Sequence, residues 1–151
     1  MAVGRCWSTM AGRIPGFRPV PEAHVILAGV RDLDPGEEQL VRTSSMSVCE
    51  CADLQGNGMS ELVDAVKRLK SRVTGVYLHV DMDVHDGDAF PANAHAPSGG
   101  LSATEVDSII SLVMDEIPVS AASVNCYDPA LDPDGQVADR AIDVTCRLAS
   151  R

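Results

Sequence analysis

The sequence predicts an α/β fold: a three-layer α/β/α arrangement on a mostly parallel sheet. Three observations carry this. Short apolar runs of strand length alternate with longer segments of helical periodicity, which is the pattern of strand–helix–strand units. The runs are nearly continuous in apolar character, as in strands covered on both faces. Acidic residues follow directly on them, at Asp32 and Asp34, at Asp81 and Asp83, and at Asp128. Ligands of open parallel sheets sit at these carboxyl ends, so the acids point to one shared site.

Taken in order, residues 1–22 read as an irregular N-terminal segment, with Gly and Pro scattered from Gly12 to Pro19. Residues 23–151 read as the α/β domain. Val25–Val30 is a compact buried strand. Gly36 to Thr43 is a short helix. Asp34 is a natural N-cap for it, Pro35 suits its first position and Glu37 completes a capping box. Met46–Cys51 is a brief strand. Ser60–Arg72 is a helix with Leu62, Val63, Val66 and Leu69 on one face. Gly75–Val84 is the central strand, followed by a long loop from Gly87 to Gly100, and loops of that length in a compact domain tend to be functional. Ser102–Glu116 is a helix with its own capping box, Ser102 to Glu105, and an apolar stripe of Val106, Ile109, Ile110 and Val113. Ser120–Tyr127 is a strand and Val137–Leu148 a closing helix.

The chain has 151 residues, enough for one domain with a real core. Lys and Arg total 12 against 22 Asp and Glu, a formal charge of −10. That balance argues against nucleic acid or an anionic membrane as partner. No apolar run approaches the length of a membrane span, and the N-terminus lacks the apolar stretch of a signal peptide. The five cysteines are Cys6, Cys49, Cys51, Cys126 and Cys146. An odd count without a paired framework suggests reduced thiols and a cytoplasmic setting. Cys49 and Cys51 read as small buried side chains sharing a strand face.

The most informative stretch is His79 to Asp86. On a strand, His79, Asp81, Asp83 and His85 would all face one way. Two adjacent carboxylates repel unless a cation sits between them. Capping and arginine pairing are the plain alternatives; the strand-end position and flanking histidines favour a divalent metal. Carboxylates suit Mg²⁺, Mn²⁺ or Ca²⁺, and imidazoles shift the preference toward Mn²⁺, Zn²⁺ or Fe²⁺.

Val76 to Asp86, continuing to Ala96-Pro97-Ser98-Gly99-Gly100-Leu101-Ser102, resembles the last metal-binding signature of the arginase/agmatinase (ureohydrolase) family. Gly29 to Glu37 resembles that family's Gly-x-Arg-Asp-x-Asp-Pro-x-Glu segment, and Asn125 to Asp132 its Glu-x-Asn-Pro-x-x-Asp ending. The resemblance implies an arginase-like fold and a pair of Mn²⁺ ions held in part by Asp81 and Asp83. It implies Asp34 and Glu37 as substrate-binding residues, and hydrolysis of a guanidino compound, arginine or a relative, to urea and an amine. His79, His85, His95 and Asp128 are candidate hydrogen-bond partners around the ligands. Cys126 stands where many members carry a glutamate that contacts the guanidinium. The match corresponds to the C-terminal half of the family. Its Gly-Gly-Asp-His and Asp-Ala-His-x-Asp motifs, with the proton-transfer histidine, are not in this sequence. The expectation is therefore an incomplete portion of the fold, inactive alone, and a homo-oligomer when full length. The alternatives are a non-catalytic metal-binding or assembly module of the same descent, and a deacetylase-like amidohydrolase, against which Asp34 to Glu37 speaks.

Overall fold

Parallel strand pairs form the sheet layer in a computed structural model that describes residues 2–5, 7–55 and 59–150. Strand β1 (Ile26–Val30) pairs with β2 (Ser47–Glu50), and β3 (Val76–Asp81) pairs with β4 (Val119–Asn125). Both pairs are parallel, and the connections run through helices α2 (Pro35–Arg42) and α5 (Ala103–Glu116). Helix α1 (Ser8–Ala11) is a single turn inside the N-terminal segment. Helices α3 (Cys51–Leu54), α4 (Met59–Lys70) and α6 (Gln136–Ala149) complete the order. Cys6 lies outside the described residues. Among the described helices none is long and apolar enough to cross a membrane.

The helical stripes read from sequence are the buried faces. Leu62, Val66 and Leu69 of α4 and Val106 and Ile110 of α5 enter one apolar cluster with Val80, Leu101 and Val144. Ile26 and Ala28 of β1 and Val76 and Leu78 of β3 pack against the same cluster. The two strand pairs thus share a core although no ladder joins β1 to β3. A smaller cluster of Met82, Ala92 and Val137, with Phe90 and Ala141 against it, seats α6 under the long loop. The carboxylate of Asp132 accepts from the backbone N–H groups of Val137 and Ala138, satisfying two donors that the first turn of α6 cannot satisfy itself.

Two expectations are corrected. The central strand does not reach Val84. It ends at Asp81, and a 3₁₀ turn over Met82–Val84 follows. The cause is Asp81 itself, whose side chain accepts the N–H of Asp83 at 3.1 Å and draws the chain out of the extended form. His79, Asp81, Asp83 and His85 therefore do not share a strand face. The second strand is also shorter than Met46–Cys51, and Cys51 opens α3. Both thiols are buried, but that of Cys51 donates to the carbonyl of Gly29 at 3.1 Å and does not line a strand face with Cys49. Gly29 lies where the β1–β2 register shifts, at φ +81°. A Cβ there would stand 2.7 Å from Val84 Cγ2, so only glycine lets β1 approach the turn after β3.

Candidate metal centre

Asp81 closes β3 opposite Asn125 of β4, and Asp83 follows in the 3₁₀ turn. The two carboxylates are close enough to perturb one another. Asp83 is held above the usual carboxylate range, first by partial burial, then by its hydrogen bond to Asp81 and the Asp81 charge. The Asn93 amide and the Arg31 guanidinium act the other way. Asn93 Nδ2 lies 3.4 Å from Asp83 Oδ2 and 3.3 Å from the Cys126 carbonyl, so it ties the long loop to the end of β4. Sequence reading had no signal for Asn93, a polar residue in an irregular loop.

Cys126 takes a left-handed backbone conformation, φ 65°, uncommon for a residue with a side chain. Its thiol donates to Asp81 Oδ2 at 2.9 Å. That bond to a carboxylate, then burial, pushes the thiol up to about 11. Alkylation of Cys126 by iodoacetamide at pH 8 is expected to be at least about tenfold slower than for an ordinary exposed thiol, because the thiolate is the nucleophile. Asp81→Asn should restore the rate, which peptide mass spectrometry would read. Equal rates in the two proteins would show that the bond is not made in solution.

The histidines separate. His79 is exposed, and its Nδ1 lies 2.8 Å from Ser123 Oγ, which also meets the hydroxyl of Tyr77 at 2.6 Å. His85 is fully buried. Its Nε2 accepts from Arg140 Nε at 3.2 Å, which leaves Nδ1 to carry the proton and donate to the Leu101 carbonyl at 3.2 Å. Burial, then the Arg140 charge, keeps this imidazole below its usual range. It is a neutral support beneath the loop. His95 is exposed on the loop, with its backbone N–H on Asn93 Oδ1. Asp128 caps the turn over Pro129–Leu131 by accepting from Ala130 N at 2.9 Å.

Asp34 and Glu37 are exposed at the start of α2, and Glu37 accepts the Asp34 N–H at 3.2 Å, so the capping expected of them is made. Among the described residues no hydrogen bond or ion pair joins them to the strand-end aspartates. A link exists three residues earlier: Arg31, to which sequence reading assigned no role, reaches the carbonyl of Asp83.

Asp81 and Asp83 are hard oxygen donors suited to Mn²⁺ or Mg²⁺, and a cation between them would relieve their repulsion. They fit part of such a site. Among the described residues no group of three or more His, Cys, Asp or Glu side chains is placed so that it could hold a metal ion. A cleft of about 500 Å³ lies elsewhere, between α5 and α6, lined by Asp107, Ser111, Arg140 and Arg147.

Comparison with known proteins identifies the family. The arginase family model matches residues 7–150. An arginase of Staphylococcus aureus (strain COL) is 28% identical over 123 residues, covering 80% of this chain and 41% of that protein. An arginase of Brevibacillus brevis is 28% identical over 131 residues, covering 85% of this chain and 44% of that one. The native structure of Bacillus caldovelox arginase superposes with a TM-score of 0.81 at 27% identity, over 91% of this chain and 46% of that one. The chain spans less than half the length of each of these relatives. With the strand-end aspartates, the Gly29–Glu37 segment and the parallel α/β layering all falling inside the matched span, the chain belongs to the arginase family.

Proposed function

We propose that this chain contributes one part of a metal-dependent ureohydrolase centre. The reaction is hydrolysis of a guanidino compound, arginine or a close relative, to urea and an amine. The observation that carries the reading is the pairing of Asp81 and Asp83 at the carboxyl end of β3, where partial burial and mutual repulsion leave Asp83 poised for a cation. A bound divalent ion, Mn²⁺ in this reading, would supply Lewis-acid activation of water. Asp81 and Asp83 would hold it. Asp34 and Glu37, open at the head of α2, would receive the cationic end of the substrate. Two carboxylates do not complete a coordination shell, so further donors, water among them, would be needed. Homo-oligomers of the whole enzyme and a cytoplasmic setting belong to the same reading.

A second reading has its own observation. The Cys126 thiol occupies Asp81 Oδ2, a lone-pair position a metal would use. A family-derived module that binds or assembles without catalysing would tolerate this.

The test is Mn²⁺ titration of the purified chain, followed by electron paramagnetic resonance, together with a urea assay on arginine and agmatine. Weak Mn²⁺ binding without urea release is expected from the chain alone. Asp83→Asn should weaken Mn²⁺ binding at least about tenfold. It should also make the metal-free protein more stable at neutral pH, because it removes a carboxylate charge beside Asp81. The sign follows from the raised Asp83 value. Such a group favours the fold below its unfolded range near pH 4 and loses that contribution as pH rises through the folded value. At pH 7 the ionised carboxylate is a cost that asparagine removes. Robust urea release by the chain alone would overturn the composite centre. No Mn²⁺ binding at all would favour the second reading.

A further inference from the structure

Arg31 lies one residue beyond β1, and its guanidinium reaches under the loop that follows β3. Nη2 donates to the carbonyls of Asp83 at 2.5 Å, His85 at 3.1 Å and Pro97 at 2.9 Å. Nη1 lies 3.9 Å from Cys51 Sγ. Nε is enclosed and has no acceptor. Among the described residues Arg31 forms no ion pair with a carboxylate, unlike Arg140 and Arg147, which both reach Asp107. Apart from the Cys51 sulfur, its hydrogen-bond partners among the described residues are backbone carbonyls of the chain that follows β3.

Those carbonyls come from distant points of the loop. Asp83 belongs to the 3₁₀ turn, His85 is the buried residue just after it, and Pro97 stands near the return. Pro97 O also accepts the N–H of Gly87 at 3.1 Å, so the guanidinium closes a contact the backbone itself makes. On its other side Arg31 is followed by Asp32, at φ 52°, where the chain turns toward α2 and brings Asp34 and Glu37 after it.

We propose that Arg31 is a positioning residue: it clamps the strand-end loop so that Asp83 stays turned toward Asp81, and it fixes the Asp34–Glu37 segment in register with that pair. The role at the metal rests on the function proposed above; the clamp itself does not. Geometry sets the residue type. All three carbonyls meet one nitrogen, Nη2, which the rigid guanidinium plane holds in place while Nη1 faces Cys51 Sγ, whereas a lysine ammonium sits on a flexible stem and has no second nitrogen to anchor it. Charge alone would act in the opposite sense, since a cation near two carboxylates opposes the binding of Mn²⁺. Positioning and simple electrostatics therefore predict opposite outcomes for the same substitution.

The experiment compares the full chain with Arg31→Met and Arg31→Lys by Mn²⁺ titration and by amide hydrogen exchange without metal. In Arg31→Met, Mn²⁺ binding should weaken about tenfold or more, the scale seen when groups that orient metal ligands are removed. Exchange at Gly87 and Phe90 should quicken at least about tenfold, while the amides of α4 keep their protection. Arg31→Lys should recover part of both effects. Should Arg31→Met fail to fold, Arg31→Lys carries the comparison and must still show weaker Mn²⁺ binding and a faster loop. Unchanged or tighter Mn²⁺ binding, or an unchanged loop, overturns the proposal. A wild-type chain that binds no Mn²⁺ overturns the metal reading instead, and loop exchange then decides the clamp by itself.

Discussion

Gly100→Ala is expected to destabilise the chain by about 3 kcal/mol or more, the upper range for single substitutions. A Cβ at Gly100 would lie 2.4 Å from both the carbonyl carbon and oxygen of His85 and 2.6 Å from the N of Asp86. These are backbone atoms, so no side chain can swing aside. The contact sits where the loop after β3 meets the chain entering α5. His85 and Leu101 form an isolated parallel bridge there, with Leu101 N donating to the Val84 carbonyl at 2.8 Å and Asp86 N to the Leu101 carbonyl at 3.3 Å. Leu101 is fully buried in the main cluster, so prising this bridge open also disturbs the core. Ordinary overpacking costs about 1–3 kcal/mol because side chains yield, and here the backbone must move. Gly36→Ala is the control. Nothing lies within 4 Å of a Cβ built there, it stands inside α2, and alanine favours helix over glycine by up to about 1 kcal/mol. Urea midpoints of the two variants should move in opposite directions. A fall of equal size in both would show that the close approach at Gly100 is not what matters.

The helices were the most legible part of the fold. Leu62, Val66 and Leu69 recur at local spacings, and so do Val106 and Ile110, and the faces they mark are the faces that bury. The capping residues Ser102 and Glu105 also bond as their spacing implies. The strand ends were less legible because side chains there compete with the ladder for the backbone. Asp81 belongs to the apolar run by position, yet its carboxylate captures the Asp83 N–H and ends the strand. The two aspartates of the candidate centre were visible as an Asp-x-Asp pair after an apolar run. Their surroundings were not. Arg31 acts on carbonyls of residues 52 to 66 positions away, and such carbonyls carry no side-chain signature. Asn93 and the Cys126 thiol reach the aspartates only once the loop and β4 have folded over them.

Replacing Arg140 by methionine is expected to cost about 3 kcal/mol and to change the response to acid. Arg140 is a buried charge, 8% exposed, and its partners sit on three sides. Nη2 pairs with Asp107 at 2.9 Å and reaches the Ala103 carbonyl at 3.2 Å, while Nε donates to the buried His85 ring. Breaking a buried pair from one side costs about 3–5 kcal/mol when the other group is left alone. Here Asp107 keeps Arg147 at 3.3 Å, which places the loss at the lower end. The imidazole is left with an unsatisfied acceptor in a site closed to water. The pH dependence separates this pairing from plain loss of packing. In the native protein His85 is lowered first by burial and next by the Arg140 charge. A lowered histidine stabilises the fold fully above its unfolded value, about 6.5, and that contribution drains away as pH falls through the folded value. Metal-free wild type should therefore lose urea resistance between pH 7.5 and pH 5.5. Methionine removes the cationic part of the effect and leaves the burial part, so the variant, though weaker throughout, should lose less over the same interval. Every ionisable group other than Arg140 is common to both proteins, so the difference between the two slopes reports the loss of the Arg140 charge beside His85. Parallel slopes would mean that Arg140 acts through Asp107 and the Ala103 carbonyl, with the His85 ring held by its Leu101 bond and by the tilted Phe90 ring, whose centroid lies 5.3 Å away.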